Sequence, residues 1–192
     1  MAHGGLTPEQ LSHYQRDGFI VLPGVFTASE CRNLITHCED LLAGRTPYPG
    51  IPWRKPGEVG RTHNQHICDP VSYRWLLDPR LRQPLADCAG GEVDAVQTMH
   101  FFVGSQQRRH QDSYYLPSCL SAWIALEPIS ERNGTIWVQP GSHRGKLLTR
   151  ADFIGPNGEP APTFGEHYND AVDALYESHG VADQPVRVNT GD

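Results

Sequence analysis

Ser121-Ala122-Trp123-Ile124-Ala125-Leu126-Glu127 and, a short step on, Asn133-Gly134-Thr135-Ile136-Trp137-Val138-Gln139-Pro140-Gly141-Ser142-His143-Arg144 decide how this chain is read. Ser121 to Ile129 and Thr135 to Gln139 are β-rich runs, and Asn133-Gly134 between them is a strong hairpin signal. Upstream, Val93 to Val103 and His110 to Leu116 read as further strands. Downstream, residues 151 to 185 are loop-like, with a short helix over Ala171 to Ser178. Val186 to Asn189 reads as one more strand, and Thr190-Gly191-Asp192 as the turn leaving it.

Toward the N-terminus the pattern turns helical. Thr7 is an N-cap, Pro8 takes the first helical position, Gln10 completes a capping box, and Leu6 and Leu11 form a hydrophobic staple. Gly18 stops that helix after Asp17, and Phe19 to Leu22 reads as a short buried strand closed by Pro23-Gly24. Thr27 and Glu30 form a second capping box. Cys31, Leu34, Ile35, Cys38, Leu41 and Leu42 then follow helical spacing up to Gly44. Residues 45 to 70, rich in Pro, Gly and His, read as an irregular functional loop. A helix is expected over Val71 to Leu77, and Asp78-Pro79 restarts a short one that Pro84 limits to a turn or two. The chain is thus an α+β fold with a mainly β core. One domain spans 1–192, with a helical flank and first strand over 1–92 and the sandwich strands over 93–192.

Composition narrows the function. The 192 residues carry 16 Lys plus Arg against 22 Asp plus Glu, a net charge of −6, which argues against nucleic acid as the main partner. A hydrophobic share of 38% with 20% charged residues excludes a disordered chain. The longest run without Asp, Glu, Lys or Arg, Ser113 to Leu126, falls short of the ~20 residues of a membrane helix. No secretory signal is visible, and the five cysteines include no C-x-x-C pair, so reduced thiols in the cytoplasm are expected. Cys31 and Cys38, seven apart on one helix face, read as small core residues.

The chemistry concentrates in Arg109-His110-Gln111-Asp112. On a strand, His110 and Asp112 would project to one face and Gln111 to the other. An imidazole and a carboxylate at that spacing supply two ligands of the two-His-one-carboxylate triad that holds Fe(II) and leaves positions open for oxygen and a cosubstrate.

These blocks, in their order and spacing, resemble the phytanoyl-CoA dioxygenase family of Fe(II)- and 2-oxoglutarate-dependent oxygenases. The resemblance begins at Leu11 to Phe26 and passes through Gln97-Thr98-Met99 and His110 to Tyr115. It is most specific in Ser121 to Glu127 and Asn133 to Arg144. It implies a double-stranded β-helix (jelly roll), with Fe(II), 2-oxoglutarate and O2 as the reacting partners. It implies His110 and Asp112 as the first two metal ligands and Met99, Gln111 and Trp123 as lining the cosubstrate pocket. For Met99 and Trp123, ordinary strand packing is an equally good account. The retained carboxylate of Asp112 points to hydroxylation of an unactivated C–H bond, since halogenating relatives replace it with a small residue. Substrates of the family range over acyl-CoA thioesters, small amines and amino acids, and secondary metabolites; no membrane is implied.

His143 belongs to the family's turn motif and reads as structural or pocket-lining. His63 and His66 could face a substrate, whereas His3, His13, His37, His167 and His179 read as surface residues. Arg108 and Arg109 could meet a phosphate or carboxylate, although adjacent loop arginines are more often solvated. In the family a Gly-Asp turn such as Gly191-Asp192 leads into a strand with the distal His, and a further stretch carries the Arg that holds 2-oxoglutarate. The sequence therefore reads as a fragment, inactive by itself, lacking the last strands. The alternative is a jelly-roll module that binds a small ligand or a partner and has lost its metal chemistry. A structural metal site completed by His143 is a third reading.

Overall fold

Helix α1 (Pro8–Asp17) begins at the capping box the sequence announces: the Gln10 N–H donates to Thr7 Oγ1 and Gln10 Oε1 accepts the Thr7 N–H. Gly18 closes it at φ 83°, where a residue with a Cβ would also collide with the His143 ring. A second capping box, Thr27 with Glu30, opens α2 (Ala28–Leu42), which buries Cys31, Cys38 and Leu41. All five cysteines are free thiols. The computed structural model describes residues 4–46, 60–102, 106–154, 157–159 and 166–192. His3, residues 47–59 of the Pro-rich loop and Val103 lie outside them.

Strand β1 (Arg61–His63) pairs antiparallel with β2 (Met99–Phe101), placing Thr62 opposite His100 and His63 opposite Met99. Sequence reading assigned β1 to a loop, because three residues are too few to show a period. Helix α3 (Pro70–Leu76) starts at Asp69, whose fully buried carboxylate accepts from the Val71 and Ser72 amides, the Ser72 hydroxyl and His37 Nε2. His37 is therefore a half-buried tie between α2 and α3, not a surface residue. Helix α4 (Pro79–Ala89) runs through Pro84, beyond the turn or two expected; the buried Pro84 ring offsets the one hydrogen bond lost there. Phe19 to Leu22 joins no ladder, and the strand expected over Val93 to Val103 contracts to β2.

The segment expected as a strand from His110 to Leu116 instead bends into a single helical turn, α5 (Asp112–Tyr115). The expected hairpin is also corrected. The runs flanking Asn133-Gly134 pair with the C-terminal segment, not with each other. Ile129 bridges Val188, Ile136 O accepts the Val186 N–H, and β3 (Trp137–Val138) pairs with β4 (Gln184–Pro185). Residues 130–135 are thus looped out between two contacts on one partner strand. Ser130 and Asn133 close that loop through the Ser130 N–H and Asn133 Oδ1, 2.8 Å apart. Helix α6 (Glu166–Ser178) is longer than the short helix expected over Ala171 to Ser178. Among the described residues there are small two-stranded sheets and helices, but no closed barrel. No described helix is long and apolar enough to cross a membrane.

Two apolar clusters hold these pieces. One gathers Val25, Phe26 and Cys31 with Leu22, Trp75, Leu81, Ile124 and Leu126. Phe26 and Trp75 stack at 4.5 Å between ring centroids, and the Arg80 guanidinium lies 4.2 Å over the Phe26 ring. The other gathers Tyr114, Leu148, Tyr168 and Val172 with Phe153, Ala171, Leu175 and Tyr176. The chain's last residues close on the first cluster: the Phe26 N–H donates to Gly191 O, and the Gly191 N–H to Ala125 O.

Gly191, at φ 86°, lies so close to Phe26 that a Cβ would overlap its carbonyl. Gly191→Ala is expected to lower stability by about 3 kcal/mol in urea unfolding. His100, whose pKa burial pushes down to about 4, stays neutral in the fold. Between pH 6.5 and 4 the unfolded chain takes up a proton that the folded one refuses, so stability falls as pH falls through that window. The loss is about 3 kcal/mol at its lower end. A His100→Phe variant should show a flatter stability profile in acid unfolding curves.

Candidate metal centre

The centre is built on a short extended stretch that ends in α5. Gln111 makes that geometry. Its Nε2 donates to Lys146 O at 2.8 Å and its Oε1 accepts the Leu148 N–H at 2.9 Å, so one carboxamide pairs with a neighbouring backbone as a strand would. Its own N–H donates to Tyr168 Oη at 2.9 Å. With Gln111 turned to that side, His110 and Asp112 converge: His110 Nε2 and Asp112 Oδ1 are 3.1 Å apart. The convergence expected from the sequence is present. Its cause differs, because Asp112 begins a helical turn and is not two places along a strand.

The polar atoms around the pair are arranged. His110 Nδ1 lies 2.8 Å from Arg108 O, and since a carbonyl only accepts, Nδ1 carries the proton and Nε2 faces Asp112. Asp112 Oδ2 accepts the Ser121 hydroxyl at 2.6 Å, leaving Oδ1 toward His110. Burial opposes charge on the His110 ring, but the bonds to Asp112 and to the Arg108 carbonyl outweigh it and raise its pKa above the ordinary histidine value. The His110 hydrogen bond holds the Asp112 carboxyl below its usual range against burial, and Ser121 adds to this. Arg61, from β1, is near enough for its charge to work against protonation of His110. The Tyr115 ring lies 6.1 Å from the imidazole.

A divalent ion fits between these two groups. Ligand atoms about 2.1 Å from an octahedral ion stand about 3.0 Å apart, close to the separation of Nε2 and Oδ1. Among the described residues no group of three or more His, Cys, Asp and Glu side chains could hold a metal ion. His143 is not a third ligand to this pair: its Nε2 lies 3.2 Å from Gln15 O, against the C-terminal end of α1, as a structural residue.

The other expected residues separate. Met99 is exposed on the ribbon opposite His63, and Trp123 is half-buried. His66 Nδ1 lies 2.9 Å from Thr98 Oγ1. His179, expected at the surface, is half-buried and donates from Nδ1 to Gln139 Oε1 at 2.7 Å. Arg108 is exposed and Arg109 half-buried, and both are engaged in ion pairs. Arg108 pairs with Asp170 and Asp173 at 3.2 and 2.7 Å, and Arg109 with Asp173 and Asp183. Ser121, Arg61 and Tyr168 escaped sequence reading. Ser121 stood in the most specific block with no role attached, and nothing in the local pattern marked the other two.

Two solved structures share the fold. The carbocyclase SnoK from nogalamycin biosynthesis, described as non-heme and α-ketoglutarate-dependent, superposes with a TM-score of 0.67 at 21% identity, over 97% of this chain and 72% of that one. EctD from S. alaskensis, solved with 2-oxoglutarate and 5-hydroxyectoine, gives 0.64 at 22% identity, over 96% and 65%. Phytanoyl-CoA dioxygenase domain-containing protein 1 of Bos taurus is 27% identical over 215 aligned residues, which cover 83% of this chain and 73% of that protein. Residues 14–183 match the phytanoyl-CoA dioxygenase family model, and the chain belongs to that family. The family's Fe(II), 2-oxoglutarate and O2 are its cofactor and cosubstrates.

Replacing Gln111 by Leu keeps the bulk, returns the exposed Lys146 carbonyl to water and strands the partly buried Leu148 amide. Urea unfolding should register a loss of about 1–2 kcal/mol. A loss under 1 kcal/mol would show that the carboxamide does not anchor this turn.

Proposed function

We propose that His110 and Asp112 are two of the iron ligands of an oxygenase that hydroxylates an unactivated C–H bond of a small organic molecule or acyl-CoA-type substrate. The observation that carries this reading is the 3.1 Å approach of His110 Nε2 to Asp112 Oδ1, with the far atom of each group already engaged. When bound, Fe(II) with 2-oxoglutarate supplies oxygen activation. The chain's own part is orientation. The Arg108 carbonyl fixes the imidazole tautomer, Ser121 holds the carboxylate, and Gln111 holds the turn between them. Met99 and Trp123 are proposed walls of the cosubstrate pocket, and Gln111 serves that pocket through its hold on the backbone. Arg108 and Arg109 are engaged by carboxylates of α6 and of the segment after it, so a charged substrate is not assigned to them.

With two ligands among the described residues, the 192-residue polypeptide is expected to bind iron weakly and to turn over 2-oxoglutarate poorly. The same observation favours a second reading, a binding module without metal chemistry. Titration with Fe(II) under anaerobic conditions separates them. Binding that disappears in both His110→Ala and Asp112→Ala supports the oxygenase reading, and binding indifferent to both supports the module. Succinate formation by the 192-residue chain at rates ordinary for enzymes, about 1 per second or more, would refute the expectation of inactivity.

A further inference from the structure

The metal-binding turn is braced from outside by α6, and one side chain of that helix makes the decisive contact. Tyr168 is 2% exposed, and its ring stacks on Tyr114 of α5 at 3.9 Å between centroids. Its hydroxyl oxygen accepts the Gln111 N–H at 2.9 Å. Gln111 is the residue between the two proposed ligands. Tyr168 therefore touches the turn through the Gln111 backbone, whose N–H it accepts and whose carbonyl it meets at 3.4 Å, and through the rings of Tyr114 and Tyr115. The same helix is tied to the preceding residues by Arg108 with Asp170 and Asp173, and by Arg109 with Asp173. The Arg109 guanidinium lies 5.3 Å over Tyr176.

We infer that Tyr168 is a positioning residue for metal binding: its hydroxyl fixes the Gln111 peptide, and through it the angle at which His110 Nε2 and Asp112 Oδ1 meet. The inference rests on reading those two residues as metal ligands. A ligand held in place binds without first having to be ordered. Groups that orient ligands typically alter metal affinity 10–100-fold when removed. Tyr168 acts through the backbone of the turn and touches neither ligand atom, so it lies outside what the H-x-D spacing itself shows.

Tyr168→Phe tests this, because it keeps the stacked ring and removes only the oxygen. The probe is Co2+ added to the 192-residue chain and followed by its visible absorption, which reports coordination geometry as well as affinity. Beside it, hydrogen exchange of the Gln111 amide is measured in the metal-free protein, with thermal unfolding to record global stability. The expected result is at least tenfold faster exchange at Gln111, about tenfold weaker Co2+ binding and an altered spectrum, beyond what any fall in melting temperature explains. Unchanged exchange, or faster exchange with unaltered Co2+ affinity and spectrum, overturns the inference. Should the variant unfold, Arg108→Gln with Arg109→Gln loosens the same brace while leaving the Tyr168–Tyr114 stack. Faster Gln111 exchange with weaker Co2+ binding then supports the inference, and no change in either overturns it. Co2+ binding by the parent chain that is indifferent to His110→Ala overturns the metal reading instead. The exchange measurement, which needs no metal, tells the two failures apart.

Discussion

The arrangement depends on the carboxamide of Gln111. A strand normally keeps its place by a ladder of backbone hydrogen bonds. Here the side chain of one residue supplies a donor and an acceptor to the backbone at 146 and 148. The bond to the Leu148 amide is partly buried, where an unmade bond would cost more than at the surface, while the bond to the Lys146 carbonyl is exposed. Once Gln111 is held on that side, the residues before and after it are released from the ladder. That release lets Asp112 start a helical turn and swing its carboxylate back toward His110. A regular strand at this point would have satisfied its backbone but fixed the two groups by pleat alone.

Charge reinforces this frame from a distance. Arg108 and Arg109, immediately before the ligands, meet Asp170, Asp173 and Asp183. Exposed pairs of this kind each contribute about 0–1 kcal/mol, so their value lies less in stability than in direction. They draw α6 across the turn, where Tyr168 and Val172 fill the cluster beneath it. A guanidinium pair beside a candidate active site invites a substrate role from sequence alone. Here three carboxylates pair with it.

Much of this was legible in the sequence, and the rest failed for identifiable reasons. The caps at Thr7 and Thr27 and the apolar spacing behind Cys31 are local signals, and the helices follow them. Asn133-Gly134 is also a true turn, yet the runs on either side pair with 184–188, because turn chemistry specifies a bend and not the partner of what it joins. The approach of His110 to Asp112 was legible because the two residues sit close in the chain. Ser121 and Tyr168 come from 9 and 57 residues away from the residues they bind, and no local period reports such contacts. His37 and His179 were misjudged for the same reason: their partners, Asp69 and Gln139, are distant in sequence.

The hydrogen bonds at the pair orient it for either of two uses, a structural ion pair or the proposed metal ion. An ion pair gains from every donor and acceptor it can share, and would leave no lone pair idle. At this centre the far nitrogen of His110 is tied to the Arg108 carbonyl and the far oxygen of Asp112 to Ser121. Each side chain is left with one atom, and both atoms face the same point. Without an ion, a proton on Nε2 is shared with the carboxylate, which is why the His110 pKa rises and that of Asp112 falls. On the proposed reading a divalent cation takes the place of that proton, accepts both lone pairs at once and has further positions to offer. The carboxylate side chain is about half exposed, so those positions would face outward. Orientation by groups that never touch the ion is then the chain's contribution to the proposed metal chemistry. It places the burden of the site on Arg108, Gln111, Ser121 and the helix behind them as much as on the two ligands.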